Sequence, residues 1–346
     1  MKNGEHLSLA HSMFRAYSSR LPDRMMGGVR RWIAVVALIT LPGWLAVAQD
    51  KHLNPTIDLL AHKKPVFGLY APGNPRTRPG QTSAPNAPAP KTPAQLAQDA
   101  LAYTNGDFVF DGSMEGNFEP AFGLFTEFVR GMATKGALRW THPLVIKTPE
   151  IAPHPDLARE RIARQLNLGA STMMFVGVES AAEVKQGLGM MRFAGQGGTR
   201  SEQVGEAPRL WGMSEKEYRA KADVWPLNPR GELVNWTIVE SREGLAHVHE
   251  IAAVPGIGVL FPGAGTLRGV FSSTDASGKR VFDEAGWEGA IQQVLAACKE
   301  FKVPCGYPAN LTDIEKRMQQ GFSVFVIGWG EAGMKTIELG RKIAGR

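Results

Sequence analysis

Only two cysteines occur in the 346 residues, Cys298 and Cys305. Their spacing fits neither a zinc site nor a redox pair. Linking them would require the end of a helix to reach the adjoining strand, so two unlinked thiols are expected. Charge of one sign is also scarce through most of the chain. The net charge is +6, but Lys2, Arg15, Arg20, Arg24, Arg30 and Arg31 against Glu5 and Asp23 place +4 of it in the first 48 residues. The +2 that remains forms no basic stripe interleaved with aromatics, which excludes nucleic-acid binding. No sequence repeat of fixed period is found. The apolar run at 32–45 is too short for a membrane span. The glycine-rich stretch at 195–200 has no helix opening directly after it, which excludes a nucleotide-binding loop.

With 43% hydrophobic residues the chain is long enough for one large domain or two ordinary ones. Residues 25–48 have the order of a secretory signal peptide: Arg30 and Arg31, the apolar run, then Ala46-Val47-Ala48 as a small-residue cleavage site. Residues 1–24 are an overlong leader or the product of an upstream start. Export is therefore expected, to the periplasm or beyond, with no stable membrane partner once the signal is cleaved. An uncleaved anchor would leave the same export. A short extension at 49–64, with a helix near 57–62, leads into the main domain at 65–346.

That domain alternates strand and helix. Strands are expected at 66–70, 107–111, 144–147, 172–176, 234–240, 257–261, 303–307 and 322–327, with helices at 93–103, 118–133, 155–168, 180–191, 243–253, 284–301, 310–319 and 331–344. Short apolar strands crossed by helices make a parallel sheet covered on its faces. Eight βα units with no point where the order need reverse predict a closed (β/α)8 TIM barrel. The Pro-, Gly- and Asn-rich stretch 72–93 is a long loop, either a lid over the active face or a surface insertion. The irregular stretch 195–231, with Trp211 and a helical piece at 214–221, is expected to cover one side of the barrel mouth.

Glu240 ends an apolar strand, where α/β barrels place their chemistry; its other role would be to cap the next helix with Ser241. Glu240-Ser241-Arg242-Glu243-Gly244-Leu245, running into Ile251-Ala252-Ala253-Val254-Pro255-Gly256-Ile257, resembles the HpcH/HpaI aldolase and citrate lyase family. So do Asn167-Leu168-Gly169-Ala170, Glu179 to Val184, and Gly321 to Val326, in the same order over 65–345. The resemblance implies a phosphoenolpyruvate/pyruvate-type barrel and a carbon–carbon lyase acting on a 2-oxo acid through an enolate. It also implies a divalent metal (Mg, Mn or Co) and a homo-oligomer packed through its last helices. An exported, non-catalytic barrel that binds a small carboxylic acid is the alternative.

The implied site departs from the family pattern. Glu240 matches the family's metal-binding Glu, but the second carboxylate falls on Gly265 or Thr266, in a loop that here reads Pro262-Gly263-Ala264-Gly265-Thr266. Glu115 takes the place of the basic His, Asn167 that of its carboxylate partner, and Lys147 that of the enolate-stabilising Arg. Lysine keeps the charge without the planar two-pronged donor. Glu115, Lys147 and Asn167 are thus the catalytic candidates, and Gly265, Thr266 and Arg200 the substrate-binding ones. His154 and Glu150 lie in the loop after Lys147, where His154 is either a spare imidazole or a solvated loop residue. His247 and His249, two apart on a helix, face different ways. His142 precedes its strand at the bottom of the barrel.

Overall fold

The computed structural model describes residues 51–74 and 89–346. The leader at 1–48 and most of the proline-rich loop lie outside the described residues. The loop's two ends are joined: Asn74 Nδ2 donates to Lys91 O at 2.8 Å, and the Lys91 N–H donates to Asn74 Oδ1 at 2.7 Å.

Eight parallel strands carry the architecture: β1 Val66–Tyr70, β2 Phe108–Asp111, β3 Leu144–Thr148, β4 Thr172–Phe175, β5 Leu233–Val239, β6 Ile257–Pro262, β7 Gly306–Ala309 and β8 Val324–Ile327. Neighbours follow the order β7-β8-β1-β2-β3-β4-β5-β6. A parallel bridge between Leu260 and Cys305, with the Leu260 N–H on Pro304 O at 3.0 Å, curls β6 round to the segment that enters β7. This is the arrangement of a (β/α)8 barrel. A two-residue strand, Val224–Trp225, adds to β5, and an antiparallel hairpin, Ser272–Thr274 with Arg280–Phe282, stands apart.

The strands are apolar on both faces because each face meets a different core. Outward residues such as Phe67, Ile146, Phe175 and Phe325 pack under the helices. Inward residues, among them Val66, Phe108, Val145, Met174, Trp236, Ile238 and Phe261, fill the barrel. Phe108 and Phe261 lie 5.1 Å from Trp236 by ring centroids. A Cβ at Gly68 or Gly306 would run into the Phe108 or Phe261 ring, so these glycines make the space the aromatics occupy. Ile57 and Leu60 of the helix Pro55–Ala61 join the same inner core. With the interior packed, chemistry is confined to the ends of the barrel.

Four expectations need correction. Cys298 and Cys305 form a disulfide, with Cα atoms 5.6 Å apart. The helix Glu284–Phe301 ends on Lys302 at φ +57, and that left-handed residue turns the chain back beside its own last turn. The strand placed at 303–307 starts later, at Gly306, and the helix expected over 243–253 is broken at His247 into Arg242–Ala246 and Val248–Ala252. The stretch 195–231 does not cover the mouth. The helix Ala181–Met191 carries the chain back to the N-terminal end of the strands, and 195–231 packs there: Trp211 Nε1 donates to Gly169 O at 2.9 Å, just before β4.

Candidate active site at the barrel mouth

Side-chain parity selects the residues that reach the mouth. Val66 and Gly68 face inward, so Tyr70 does too; Val145 leads in the same way to Lys147, and Trp236 and Ile238 to Glu240. Glu115 arrives from the single 3-10 turn Ser113–Glu115 after β2. That turn is shaped by the Ser113 N–H on Asp111 Oδ1 at 2.7 Å and anchored by fully buried Met114. Gln165 Nε2 donates to Lys147 O at 2.9 Å and also faces Met114 Sδ at 3.5 Å, tying the turn to β3.

The result is a close pair: Lys147 Nζ donates to Glu115 Oε2 at 2.7 Å, with the lysine side chain only 16% exposed. Tyr70 stands beside them. Burial pushes its phenol above the ordinary value; the Lys147 charge lowers it in part and the Glu115 charge raises it further. A Cβ at Gly112 would lie 3.5 Å from Lys147 Cδ and 3.7 Å from the Tyr70 ring. Glycine at that position leaves the space between them open.

Glu240 is 8% exposed, and its Oε1 accepts the Gly177 N–H at 2.9 Å. Gly177 has φ +61, and a Cβ there would stand 2.8 Å from Glu150 Oε1. A Cβ at Gly263 would strike Glu240 itself. Gly263 thus leaves room for this carboxylate, and Gly177 leaves room for Glu150 beside it. In front of it lies a cavity of about 700 Å³, lined by six glutamates, Glu115, Glu150, Glu179, Glu183, Glu240 and Glu243, with His247 and Thr266. Glu183 is raised above its ordinary value by burial; N–H donors from Glu179 and Ala152 hold it back in part, and the charges of Glu179 and Glu150 raise it further.

The donor set does not fit the metal that the family resemblance implies. One oxygen of Glu240 is taken by Gly177, and the second carboxylate position holds Gly265 and Thr266. Among the described residues no three His, Cys, Asp or Glu side chains converge as a metal site.

Asn167 and Arg200 are brought together, but at the other end of the barrel. Arg200, 2% exposed, donates from Nη2 to Asn167 Oδ1 and to the Tyr218 hydroxyl, both at 2.9 Å, and its guanidinium lies 4.4 Å from the Phe193 ring centre. Asn167 ends the helix Pro155–Asn167, which runs away from the mouth. Neither residue touches the cavity. Of the substrate-binding candidates Thr266 lines it, and Gly265 precedes Thr266 in the helix Ala264–Val270 with open space where its Cβ would stand. His154 precedes the helix Pro155–Asn167 and is exposed. His142 is buried, with Nε2 on Tyr103 O at 2.9 Å, and burial lowers its pKa. Tyr70 was not anticipated, although it follows from the alternation of β1, and His247, set aside as half of a poor ligand pair with His249, lines the cavity. His247 Nδ1 lies 3.0 Å from Glu179 O at the break between two short helices, which no periodicity signals.

A second cavity, about 740 Å³, opens at the N-terminal ends of the strands between Lys63, Trp225 and Lys299. It is as large as the mouth cavity, but it holds no acid–base pair, and barrels of this class carry their chemistry in the loops at the opposite end.

Comparison with known proteins agrees with this architecture. A crystal structure of an HpcH/HpaI aldolase/citrate lyase family protein from Burkholderia cenocepacia superposes with a TM-score of 0.59 at 21% identity, covering 84% of this chain and 97% of that one. The fold is that of the HpcH/HpaI aldolase/citrate lyase proteins. An HpcH/HpaI aldolase from Desulfitobacterium hafniense matches with a TM-score of 0.56 at 14% identity, over 84% of this chain and 95% of that one. In sequence, the hydroxypyruvate/pyruvate aldolase of Paraburkholderia phytofirmans is 24% identical over 164 residues. That alignment takes in 46% of this chain and spans 58% of the relative's length. No family model matches the sequence.

Proposed function

We propose that the chain is an HpcH/HpaI-type carbon–carbon lyase, with a barrel of the phosphoenolpyruvate/pyruvate type, that acts at its mouth on a small 2-oxo acid. The observation that carries this is the Lys147–Glu115 pair, a cation at the end of β3 and a carboxylate from the turn after β2, 2.7 Å apart. Breaking a carbon–carbon bond next to a carbonyl leaves an electron pair on the donor half, and a positive charge held in place lowers the barrier to that step. Lys147 supplies that charge. Glu115 carries the proton between the departing half and the donor carbon, and the same groups run the condensation in reverse. The resemblance to a hydroxypyruvate/pyruvate aldolase supports pyruvate as the donor half.

The rest of the cavity bears on the other half of the substrate. Glu179, Glu183 and Glu243 form a wall without a lysine or arginine among its lining residues. Such a wall repels a second carboxylate and accepts hydrogen bonds from hydroxyl groups. The partner aldehyde is therefore one without a second negative charge. The site is proposed to work outside the cytoplasm, supported by the leader pattern at 25–48 and by the Cys298–Cys305 disulfide.

The test is exchange of the methyl protons of pyruvate with deuterated solvent, followed by NMR. The protein is expected to exchange them, and Glu115→Gln to slow exchange by about 10²–10⁴-fold. Absence of exchange with pyruvate and hydroxypyruvate alike, with or without added Mn²⁺, would assign the barrel to binding instead.

A further inference from the structure

We propose that Lys147 is a Schiff-base nucleophile, so that the electron sink of the reaction is a protonated imine formed on this chain. The inference rests on the mouth being a lyase site and specifies how its charge is delivered. Cleavage next to a 2-oxo group needs a sink for two electrons. The carboxylates that would hold a cation do not converge, since Glu240 has one oxygen on Gly177 and faces Gly265 and Thr266 where a partner would be needed. No arginine or lysine is among the residues that line the cavity, and Lys147 is the ion-pair partner of Glu115, which lines it.

Lys147 brings two of the things that imine chemistry uses, a placed amine and an adjacent group that can take and return its proton. It is a primary amine at an inward position at the end of a barrel strand, on a backbone pinned by Gln165. Its ammonium donates to a carboxylate that lines the cavity, so a proton acceptor for the amine and a proton donor for the dehydration are the same group, Glu115. An arginine at position 147 could hold an oxyanion but could not form the bond.

The steps balance without a further reagent. The ammonium gives a proton to Glu115, and the free Nζ attacks C2 of the 2-oxo acid to form a carbinolamine. Glu115 returns a proton to the C2 hydroxyl, which leaves as water, giving the protonated imine. The C3–C4 bond then breaks; its electron pair moves onto C3 and into the imine, forming an enamine, while the C4 hydroxyl passes its proton to a base at the mouth and becomes the aldehyde. Protonation of C3 and addition of water release pyruvate and restore Lys147.

The experiment is reductive trapping of the full chain, treated with EDTA, using pyruvate and borohydride, with peptide mapping by mass spectrometry and proton exchange measured in parallel. Expected is one reduced pyruvate equivalent on the peptide that holds Lys147, and loss of both adduct and exchange in Lys147→Arg, whose fold is checked by circular dichroism. Mapping on the unsubstituted protein decides the point even if that variant fails to fold. Exchange without an adduct, with or without a requirement for Mn²⁺, overturns the imine and leaves the lyase standing. An adduct confined to other lysines overturns it as well. Neither adduct nor exchange, with or without Mn²⁺, overturns both.

Discussion

The two ends of the barrel are built on opposite terms. At the N-terminal end two buried carboxylates are held by hydrogen bonds. Asp223 accepts from Arg192 Nε at 2.6 Å, from Asn228 Nδ2 at 3.0 Å and from the Val224 N–H at 2.8 Å. Glu232 accepts the N–H groups of Leu53 at 3.1 Å and Asn54 at 3.0 Å, and the disulfide lies at the same end. At the mouth, six glutamates share one cavity with His247, and the cation nearest to them is paired with Glu115 alone. One end spends its polar residues on holding the strands; the other keeps carboxylates together at the expense of mutual repulsion, an arrangement that stability by itself does not favour. Substitutions at the two ends should therefore separate cleanly into losses of activity and losses of stability.

The largest separation is expected from the Lys147–Glu115 pair. Glu115→Gln should lower turnover by about 10²–10⁴-fold. Its effect on the urea midpoint should be small, because the Glu115 side chain is 40% exposed and a pair so open to solvent contributes about 0–1 kcal/mol. Turnover with an aldol substrate and urea unfolding of the same preparation check both halves. Asp223→Ala should do the reverse. Removing it leaves the partly buried Arg192 guanidinium without its carboxylate, at a cost of about 3–5 kcal/mol, with KM and kcat unchanged in the folded fraction. Burial raises the Asp223 carboxyl, but hydrogen bonds from Arg192, Asn228 and Val224 outweigh it and hold the carboxyl below its ordinary 3.8. Its contribution to stability is thus present above pH 3.8 and lost as the pH falls through the lower folded value.

A gain of function sharpens the same contrast. The Gly265 Cβ position is open, so Gly265→Asp adds a carboxylate to the first turn of a helix beside Glu240 without a clash. The expected outcome is Mn²⁺ binding by calorimetric titration at least ten-fold tighter than in the unsubstituted chain, abolished by Glu240→Ala. That ten-fold corresponds to about 1.4 kcal/mol. Unchanged affinity would mean that the helix points the new carboxylate away from Glu240.

How much of this was legible in the sequence differs between the two ends. Strands such as Leu233–Val239 and Val324–Ile327 are apolar runs bounded by turns, and residues buried on both faces leave that mark regardless of context. The side-chain oxygens of Ser180 and Thr92 accept N–H groups from the first turns of their helices, which fixes where those helices begin. The end of the barrel to which 195–231 belongs was also recoverable, because a segment that follows a crossover helix returns to the N-terminal side. Trp211 and a glycine-rich loop drew attention to composition instead of to chain direction. For the site, Glu240 was singled out by its place at the end of an apolar strand and Glu115 and Lys147 by the family resemblance, and the structure puts all three at the mouth. Asn167 was placed by motif alone, and its motif lies at the wrong end of a helix that is 13 residues long. The disulfide depends on the left-handed turn at Lys302, and lysine carries no signal for that conformation. Glu179 reaches the cavity from the loop before the helix Ala181–Met191 and Glu183 from that helix's first turn, and which end of the barrel the turn faces is set by the chain's path and not by period.

The smallest expected effect is also the one that sets the two ends against each other most directly. Glu183 is buried at the mouth, and burial together with the charges of Glu179 and Glu150 raises its carboxyl above the ordinary 4.5, the opposite of Asp223. A raised folded value means that the native state holds its proton longer than the unfolded chain does. Stability from this group is therefore full below pH 4.5 and declines as the pH rises through the folded value. Glu183→Gln removes the titration while keeping one acceptor oxygen for the N–H groups of Glu179 and Ala152, at a cost of about 1 kcal/mol for the hydrogen bond it loses. Urea midpoints measured from pH 4 to pH 7 should fall less steeply with rising pH in this variant than in the unsubstituted chain, whereas Asp223→Asn should flatten only the acid side. If Glu183→Gln leaves the upper slope unchanged, the carboxylates at the mouth are solvated and do not repel one another, and the electrostatic contrast between the ends of the barrel is lost.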